Sequence, residues 1–262
     1  MSVVGKVDSL WRYPVKSMRG EELNEAYASY SGIYGDRVFA FRSSANHDGF
    51  PYFTAREQRK LLQYRPRFRY PDKAAQPINL VDAESRNANP LSANLAEFIV
   101  DVETPDGKSI AIDDPALIEI IRANVDQNHQ VTLMQSQRAM TDCRPVSLFS
   151  LQSAQQLAEE TGIPVDKRRF RANVYVDFGA AAKAFAENEL VGRSVRIGSK
   201  VVITILERDS RCMVITLDPD TGEQTPAILK KVAQAHDGMA GVYGAVVVEG
   251  LIRKGDSIEL LG

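Results

Sequence analysis

Cys212 stands in Ser210-Arg211-Cys212, directly after the apolar run Val201-Val202-Ile203-Thr204-Ile205-Leu206 and six residues before the turn sequence Asp218-Pro219-Asp220-Thr221-Gly222. A thiol at a strand end beside a guanidinium can be held as a thiolate, which is a soft metal ligand or a nucleophile. Free cysteine is also among the most buried residue types, so packing in the core is the competing reading of this position. Basic residues fall at strand and turn edges in four places: Lys16-Ser17 after Tyr13-Pro14-Val15, Arg37 after Asp36, the run Lys167 to Arg171, and Arg211. Taken singly they read as solvated charges. Taken together they would cradle a phosphorylated ligand, because phosphate is best held by guanidinium, hydroxyl and backbone N–H donors from several segments.

Other chemistries lose support. Cys143 and Cys212 are the only cysteines and no C-x-x-C occurs, which excludes a disulfide framework, a structural zinc site and a cysteine-ligated iron–sulfur site, and fits a reducing compartment. His47, His129 and His236 form no H-E-x-x-H and no i, i+4 pair. Asp218-x-Asp220 opens like a calcium loop, but Glu223 stands where the loop requires glycine and Leu229 where it requires a bidentate acid, so a tight turn is expected. There is no G-x-S-x-G, no G-x-x-x-x-G-K-[ST] and no G-x-G-x-x-G after a strand. With 32 Lys+Arg against 34 Asp+Glu, the net charge of -2 argues against stable nucleic acid binding. The first residues show no basic segment followed by an apolar h-region, and no apolar stretch is long enough to span a bilayer, so the expected location is cytoplasmic.

The elements that must position these residues are mostly short strands. Val100 to Thr104 and Ser109 to Asp113 flank Pro105-Asp106-Gly107-Lys108 and predict a hairpin. Phe170, Ala172, Val174 and Val176 alternate with Arg169, Arg171, Asn173 and Tyr175, which predicts one strand carrying Arg171 and Asn173 on a shared face. Val201 to Leu206 reads as a strand buried on both faces, and further strands are expected over Val242 to Val248 and Ser257 to Leu261. Helices are expected from Leu151 to Thr161 between a Ser150 cap and Gly162, after Thr225-Pro226, after Asp114-Pro115, and from Pro90 to Ile99. Tyr70 to Pro77 reads as a loop. The region from Asp113 to Asn128 suggests a junction, giving two domains, 1–120 and 121–262. The class is mainly β with peripheral helices (α+β).

Six stretches then carry a family likeness: Tyr13-Pro14-Val15-Lys16-Ser17, Gly35-Asp36-Arg37, Thr54-Ala55-Arg56, Phe170-Arg171-Ala172-Asn173, Ser210-Arg211-Cys212 with Asp218 to Gly222, and Gly255-Asp256. In that order they resemble a MOSC (molybdenum cofactor sulfurase C-terminal) protein with its N-terminal β-barrel domain, similar to the mitochondrial amidoxime-reducing components and to bacterial MOSC proteins that detoxify N-hydroxylated bases. The resemblance implies a MOSC β-barrel packed on an N-terminal β-barrel-like domain. It also implies a molybdenum cofactor (Mo-molybdopterin) whose metal takes Cys212 as its protein ligand. Lys16, Ser17 and Arg37 would meet the pterin or its phosphate. Arg171 and Asn173 would project into the same site, which Ser210, Arg211 and Tyr243 would line, and Arg144 would add a phosphate contact.

The implied activity is reduction of N-hydroxylated compounds such as amidoximes, hydroxylamines and N-hydroxy bases. Two electrons and two protons release the nitrogen-bound oxygen as water, and the cofactor carries that chemistry. Substrate choice would lie in loops such as His47 to Tyr52. The sequence reaches Gly262 without a cysteine-rich ferredoxin-like stretch, so electrons are expected from a separate electron-transfer protein. Two departures stand out. Asp142-Cys143-Arg144-Pro145 replaces an Asp-Thr-Ser-Pro stretch, with Cys143 expected to pack, and Ala172 replaces a proline. The alternative is a sulfur or molybdenum cofactor carrier using Cys212 as persulfide or metal anchor, without turnover.

Overall fold

The computed structural model describes residues 2–123, 125 and 130–262. Asn128 and His129, which figured in the expected junction and among the three histidines, lie outside the described residues. The chain divides into two compact units, one made of Met1–Arg12, Glu21–Ile33 and Thr141–Gly262, the other of Tyr13–Gly20 and Tyr34–Met140. These are packing units drawn from separate stretches, whereas a boundary near residue 120 concerns contiguous domains and remains a proposal.

The first unit is built on a closed barrel of seven strands: β1 (Ser2–Arg12), β2 (Val146–Ser150), β3 (Val174–Asp177), β4 (Ser194–Ile197), β5 (Val201–Ser210), β6 (Met239–Val248) and β7 (Ser257–Leu260). The order round the barrel is β3-β2-β6-β5-β4-β7-β1, and β1 closes it by pairing Leu10 with Val174 and Lys6 with Asp177. The pair β2–β3 is parallel and the other pairings are antiparallel. Its interior is mostly β-branched, with Val7, Val146, Val174, Val176, Val195, Ile197, Val201, Ile203, Ile205, Val242 and Ile258 in one cluster. Such side chains suit the pleated surface and leave little room for water.

Two of the four described α-helices cover part of the barrel's outer face. Leu151–Thr161 starts where the Ser150 side chain accepts from the Ser153 N–H and ends at Gly162 with φ 68°. Pro226–Ala235 buries Ile228 and Val232. Together they enclose Phe149, Leu157, Phe170, Tyr175 and Ile215 in a second cluster, in which Phe149 and Phe170 stack at 4.0 Å. β2 and the first three residues of β3 are therefore buried on both faces. The expectation of two buried faces for Val201 to Leu206 is corrected: Val201, Ile203 and Ile205 point inward, while Leu206 is exposed, because no helix covers β5 there.

In the second unit, Phe39–Ser43 pairs with Val131–Gln135 and Tyr52–Phe53, and Val100–Glu103 pairs with Arg65–Phe68 and Ser109–Ala111. The expected hairpin forms, with Gly107 at φ 83°. Asp114 caps the helix Pro115–Arg122 by accepting from the Ala116 N–H. The helix expected over Pro90 to Ile99 is absent; that stretch holds only the 3-10 turn Leu95–Glu97, and a short helix lies earlier at Leu80–Ser85. Tyr70 to Pro77 contains a 3-10 turn, Pro71–Ala74. Among the described residues no helix is long and apolar enough to cross a membrane.

Candidate functional site

The thiol loop is shaped by the end of β5. Pairing with β6 shifts register between Arg208 and Ser210, so Asp209 is turned inward and only 2% exposed. A bulge of this kind re-aims a side chain at the rim of a barrel. Ser210 ends the strand on the exposed side, and Cys212 follows, half-buried, as the capping residue of the 3-10 turn Met213–Thr216. Buried Ile215 and Leu217 anchor that turn from below. The expected tight turn follows, with Asp218 Oδ1 accepting from the Asp220 and Thr221 N–H groups and Gly222 at φ 75°.

Arg211 spends its guanidinium on the protein itself. Nε donates to the Ala240 carbonyl at 2.6 Å and Nη1 to the Phe170 carbonyl at 2.9 Å. Nη2 faces the Asp209 carboxylate at 2.7 Å as a charge contact, off the direction of an aligned hydrogen bond. Gly241 provides the clearance. It sits at φ 85°, and a Cβ there would come within 2.9 Å of the Leu148 carbonyl and 3.0 Å of Arg211 Nη2.

Phe170 ends a 3-10 turn, Lys167–Phe170, which Asp166 caps through the Arg168 N–H. Arg171 closes it in the left-handed region, φ 52° and ψ 37°. The expectation that Arg171 and Asn173 project from one strand is therefore corrected: β3 begins only at Val174. Asp166, two residues ahead of Arg168, was the capping signal that competes with a period-two reading. Asn173 is 1% exposed, and its Oδ1 accepts from the Ser147 N–H at 3.2 Å while Nδ2 donates to the Trp11 carbonyl, tying β1 to β2. Three residues of the basic run are engaged within the protein. Lys167 pairs with Asp8, Arg168 with Asp166 and Asp220, and Arg169 with Asp218 and the Thr216 carbonyl.

A third group lies on the barrel wall. Glu207 Oε1 accepts from Cys143 Sγ at 3.0 Å and from Arg144 Nε at 2.7 Å. Cys143 is exposed, which corrects the expectation that it packs. Its hydrogen bond to the Glu207 carboxylate, with partial burial and the same negative charge, pushes the thiol up to about 11. The bonds from Cys143 and Arg144 hold the Glu207 carboxyl below its usual range. Strand register sets Glu207 opposite Tyr243, and Tyr243 opposite Ser147, so Tyr243 stands between the Glu207 group and Asn173's partner. Glu207 and Asp209 were missed by the sequence reading; both follow an apolar run at alternate positions, where acids read as solvent-facing.

Lys16, Ser17 and Arg37 belong to the second unit and come together there. Val15 bridges Phe39, and the Arg37 N–H donates to the Tyr13 carbonyl at 2.6 Å, so the two segments run side by side. Lys16 is 4% exposed, donates from Nζ to the Met140 carbonyl at 2.8 Å, and lies 4.5 Å from the Tyr52 ring centroid. Arg37 pairs with Asp36 at 2.6 Å and stacks over Tyr13. Within His47 to Tyr52, Phe50 meets Tyr52 edge to face. Ser17, Arg37 and Arg171 account for three of the six described non-glycine residues with positive φ. Left-handed backbone costs an L-residue about 1–2 kcal/mol and concentrates at functional sites, so this coincidence singles out the three turns.

Among the described residues no group of three or more His, Cys, Asp or Glu side chains is placed to hold a metal ion. A half-buried thiol that belongs to no such group among the described residues would suit a metal that brings its own ligands better than an all-protein cage.

The MOSC domain profile matches residues 135–259, and the MOSC N-terminal beta barrel domain profile matches residues 4–158. A search of curated protein sequences finds no match. Among solved structures, the YuaD protein from Bacillus subtilis is 14% identical with a TM-score of 0.48, over 98% of this chain and 94% of that one. YiiM from Geobacillus stearothermophilus is 17% identical with a TM-score of 0.36, over 45% of this chain and 55% of that one. YiiM from Escherichia coli is 16% identical with a TM-score of 0.33 over the same shares.

Proposed function

Because the chain belongs to the MOSC family and carries its N-terminal beta barrel domain, we propose that it is a molybdenum cofactor-binding oxidoreductase that reduces N-hydroxylated compounds with electrons from a separate donor protein. One observation supports the reading above others. The half-buried Cys212 follows directly on Arg211, whose hold on the Phe170 carbonyl keeps the left-handed Arg171 turn beside the thiol loop.

When bound, the cofactor would supply the two-electron chemistry that releases nitrogen-bound oxygen as water. Cys212 would give the metal its protein thiolate. Arg171 would offer guanidinium donors to the pterin phosphate from its capping position, with Arg144 adding a second cation. By the family likeness Lys16, Ser17 and Arg37 would also be cofactor residues; within the second unit the Met140 carbonyl holds the Lys16 ammonium, and Asp36 and Tyr13 hold the Arg37 guanidinium. Asn173 would act through the strands it ties, and Ser210 and Tyr243 would line the opening. The protein orients the group and limits water around it, and the fixed donors cost no reorganisation when charge develops.

The test is reduction of an amidoxime by protein from a cofactor-competent host, with a chemical reductant replacing the donor protein. Turnover that is lost in Arg171→Ala, with the fold intact, supports the assignment. Metal without turnover assigns a carrier instead, and sulfane sulfur without metal assigns sulfur transfer.

A further inference from the structure

We propose that Arg211, with Asp209 as its buried counter-ion, is a positioning residue that locks the Cys212 loop to the Arg171 turn before any cofactor arrives. That the positioned thiol serves molybdenum rests on the function proposed above; the locking itself does not.

The Arg211 guanidinium points into the protein. Its side chain is 7% exposed and that of Asp209 is 3% exposed. Nε, Nη1 and Nη2 are directed at the Ala240 carbonyl, the Phe170 carbonyl and the Asp209 carboxylate. The guanidinium carbon also lies 5.3 Å from the Phe170 ring centroid. A fork engaged on all three nitrogens and closed off from solvent is not placed to grip a phosphate. It joins three segments instead. Phe170 precedes the left-handed Arg171, Ala240 lies on β6, and Arg211 itself precedes Cys212.

The surrounding backbone is arranged for this contact. The β5 bulge turns Asp209 inward, and Gly241, at φ 85°, leaves the space that Nη2 occupies. Only a planar guanidinium reaches two carbonyls and a carboxylate at once; an ammonium is a single point of contact. Arg211→Lys therefore keeps the charge facing Asp209 and loses the link between the turn and the thiol loop.

The experiment follows alkylation of Cys212 by iodoacetamide in cofactor-free protein carrying Cys143→Ala, so that one thiol reports. Arg211→Lys should raise the rate at least about fivefold, because a loop released from its anchors opens more often. Arg12→Met provides the control: it breaks the ion pair of Arg12 with Glu21, 2.8 Å apart in the same unit, and should lower stability without changing the rate. Parent-like alkylation of Arg211→Lys overturns the proposal, as does an equal acceleration in Arg12→Met at matched loss of Tm. Should Arg211→Lys not fold, the double variant Arg211→Met with Asp209→Asn carries the same expectation, since it removes both carbonyl bonds without leaving an unpaired buried carboxylate. In a cofactor-competent host, Arg211→Lys should also lower the molybdenum-to-protein ratio. A parent chain that takes up no molybdenum, yet shows the accelerated thiol in the variant, refutes the cofactor reading and upholds the positioning role.

Discussion

Glu207→Gln isolates the effect of one carboxylate on one thiol. In the parent, Cys143 Sγ donates to Glu207 Oε1 at 3.0 Å, and the thiol is pushed from an ordinary 9.0 up to about 11. An amide removes the charge while retaining an acceptor, and Arg144, freed from Glu207, then favours the thiolate. Lowering the thiol from about 11 to about 9 raises the thiolate fraction at pH 8 about a hundredfold. A less basic thiolate is a weaker nucleophile, with a Brønsted slope of about 0.4–0.5, so the rate of exchange with an aromatic disulfide should rise only about tenfold. The assay is the pH–rate profile of that exchange in a Cys212→Ser background, where Cys143 alone reacts. The parent profile should still be climbing steeply at pH 10, and the Glu207→Gln profile should pass its midpoint near pH 9 and level off above about pH 10. A parent midpoint already near 9, or coincident profiles, would refute the reasoning.

Gly241→Ala should lower stability by about 2 kcal/mol or more in denaturant unfolding, because it combines a left-handed backbone with a Cβ 2.9 Å from the Leu148 carbonyl; a neutral substitution would show that the clearance is not needed. Leu157→Ala empties a fully buried position between the helices and the barrel and should cost about 2–5 kcal/mol by the same measurement. Burial raises the Glu160 carboxyl, but hydrogen bonds from His236 and Gln156 outweigh it and leave the group below its ordinary 4.5. A carboxyl depressed on folding stabilises above its unfolded value, and that contribution is lost as pH falls through the folded value. Glu160→Gln should therefore reduce the loss of Tm between pH 5 and 3, and an unchanged slope would count against the pair.

Local signals explain how much could be read in advance. Ser150 with Gly162 and Asp114 with Pro115 bracket their helices because cap chemistry acts within one turn of chain. The hairpin at Asp106-Gly107 was legible for the same reason. The stretch Arg169 to Val176 misled because a capped 3-10 turn ending in left-handed Arg171 can mimic alternation, and because helices bury the outward Tyr175. Pro90 to Ile99 shows apolar spacing without an N-terminal cap, and only Leu95–Glu97 turns. Glu207 and Asp209 escaped notice because their partners, Arg144 and Arg211, are set by strand register and a bulge, which sequence spacing does not encode. Cys212 was legible from its place after an apolar run, and Ser17, Arg37 and Arg171 from ordered motifs; their left-handed backbone was not foreseen, and Arg171 was expected on a strand.

The proposed function requires Cys212 to be the protein's ligand to molybdenum. Its most direct test is the molybdenum-to-protein ratio after expression in a cofactor-competent host, measured side by side for the parent chain, Cys143→Ala and Cys212→Ala. Near-stoichiometric metal in the first two and little in the third is the predicted result. Molybdenum retained undiminished by Cys212→Ala, or none in the parent, would contradict it.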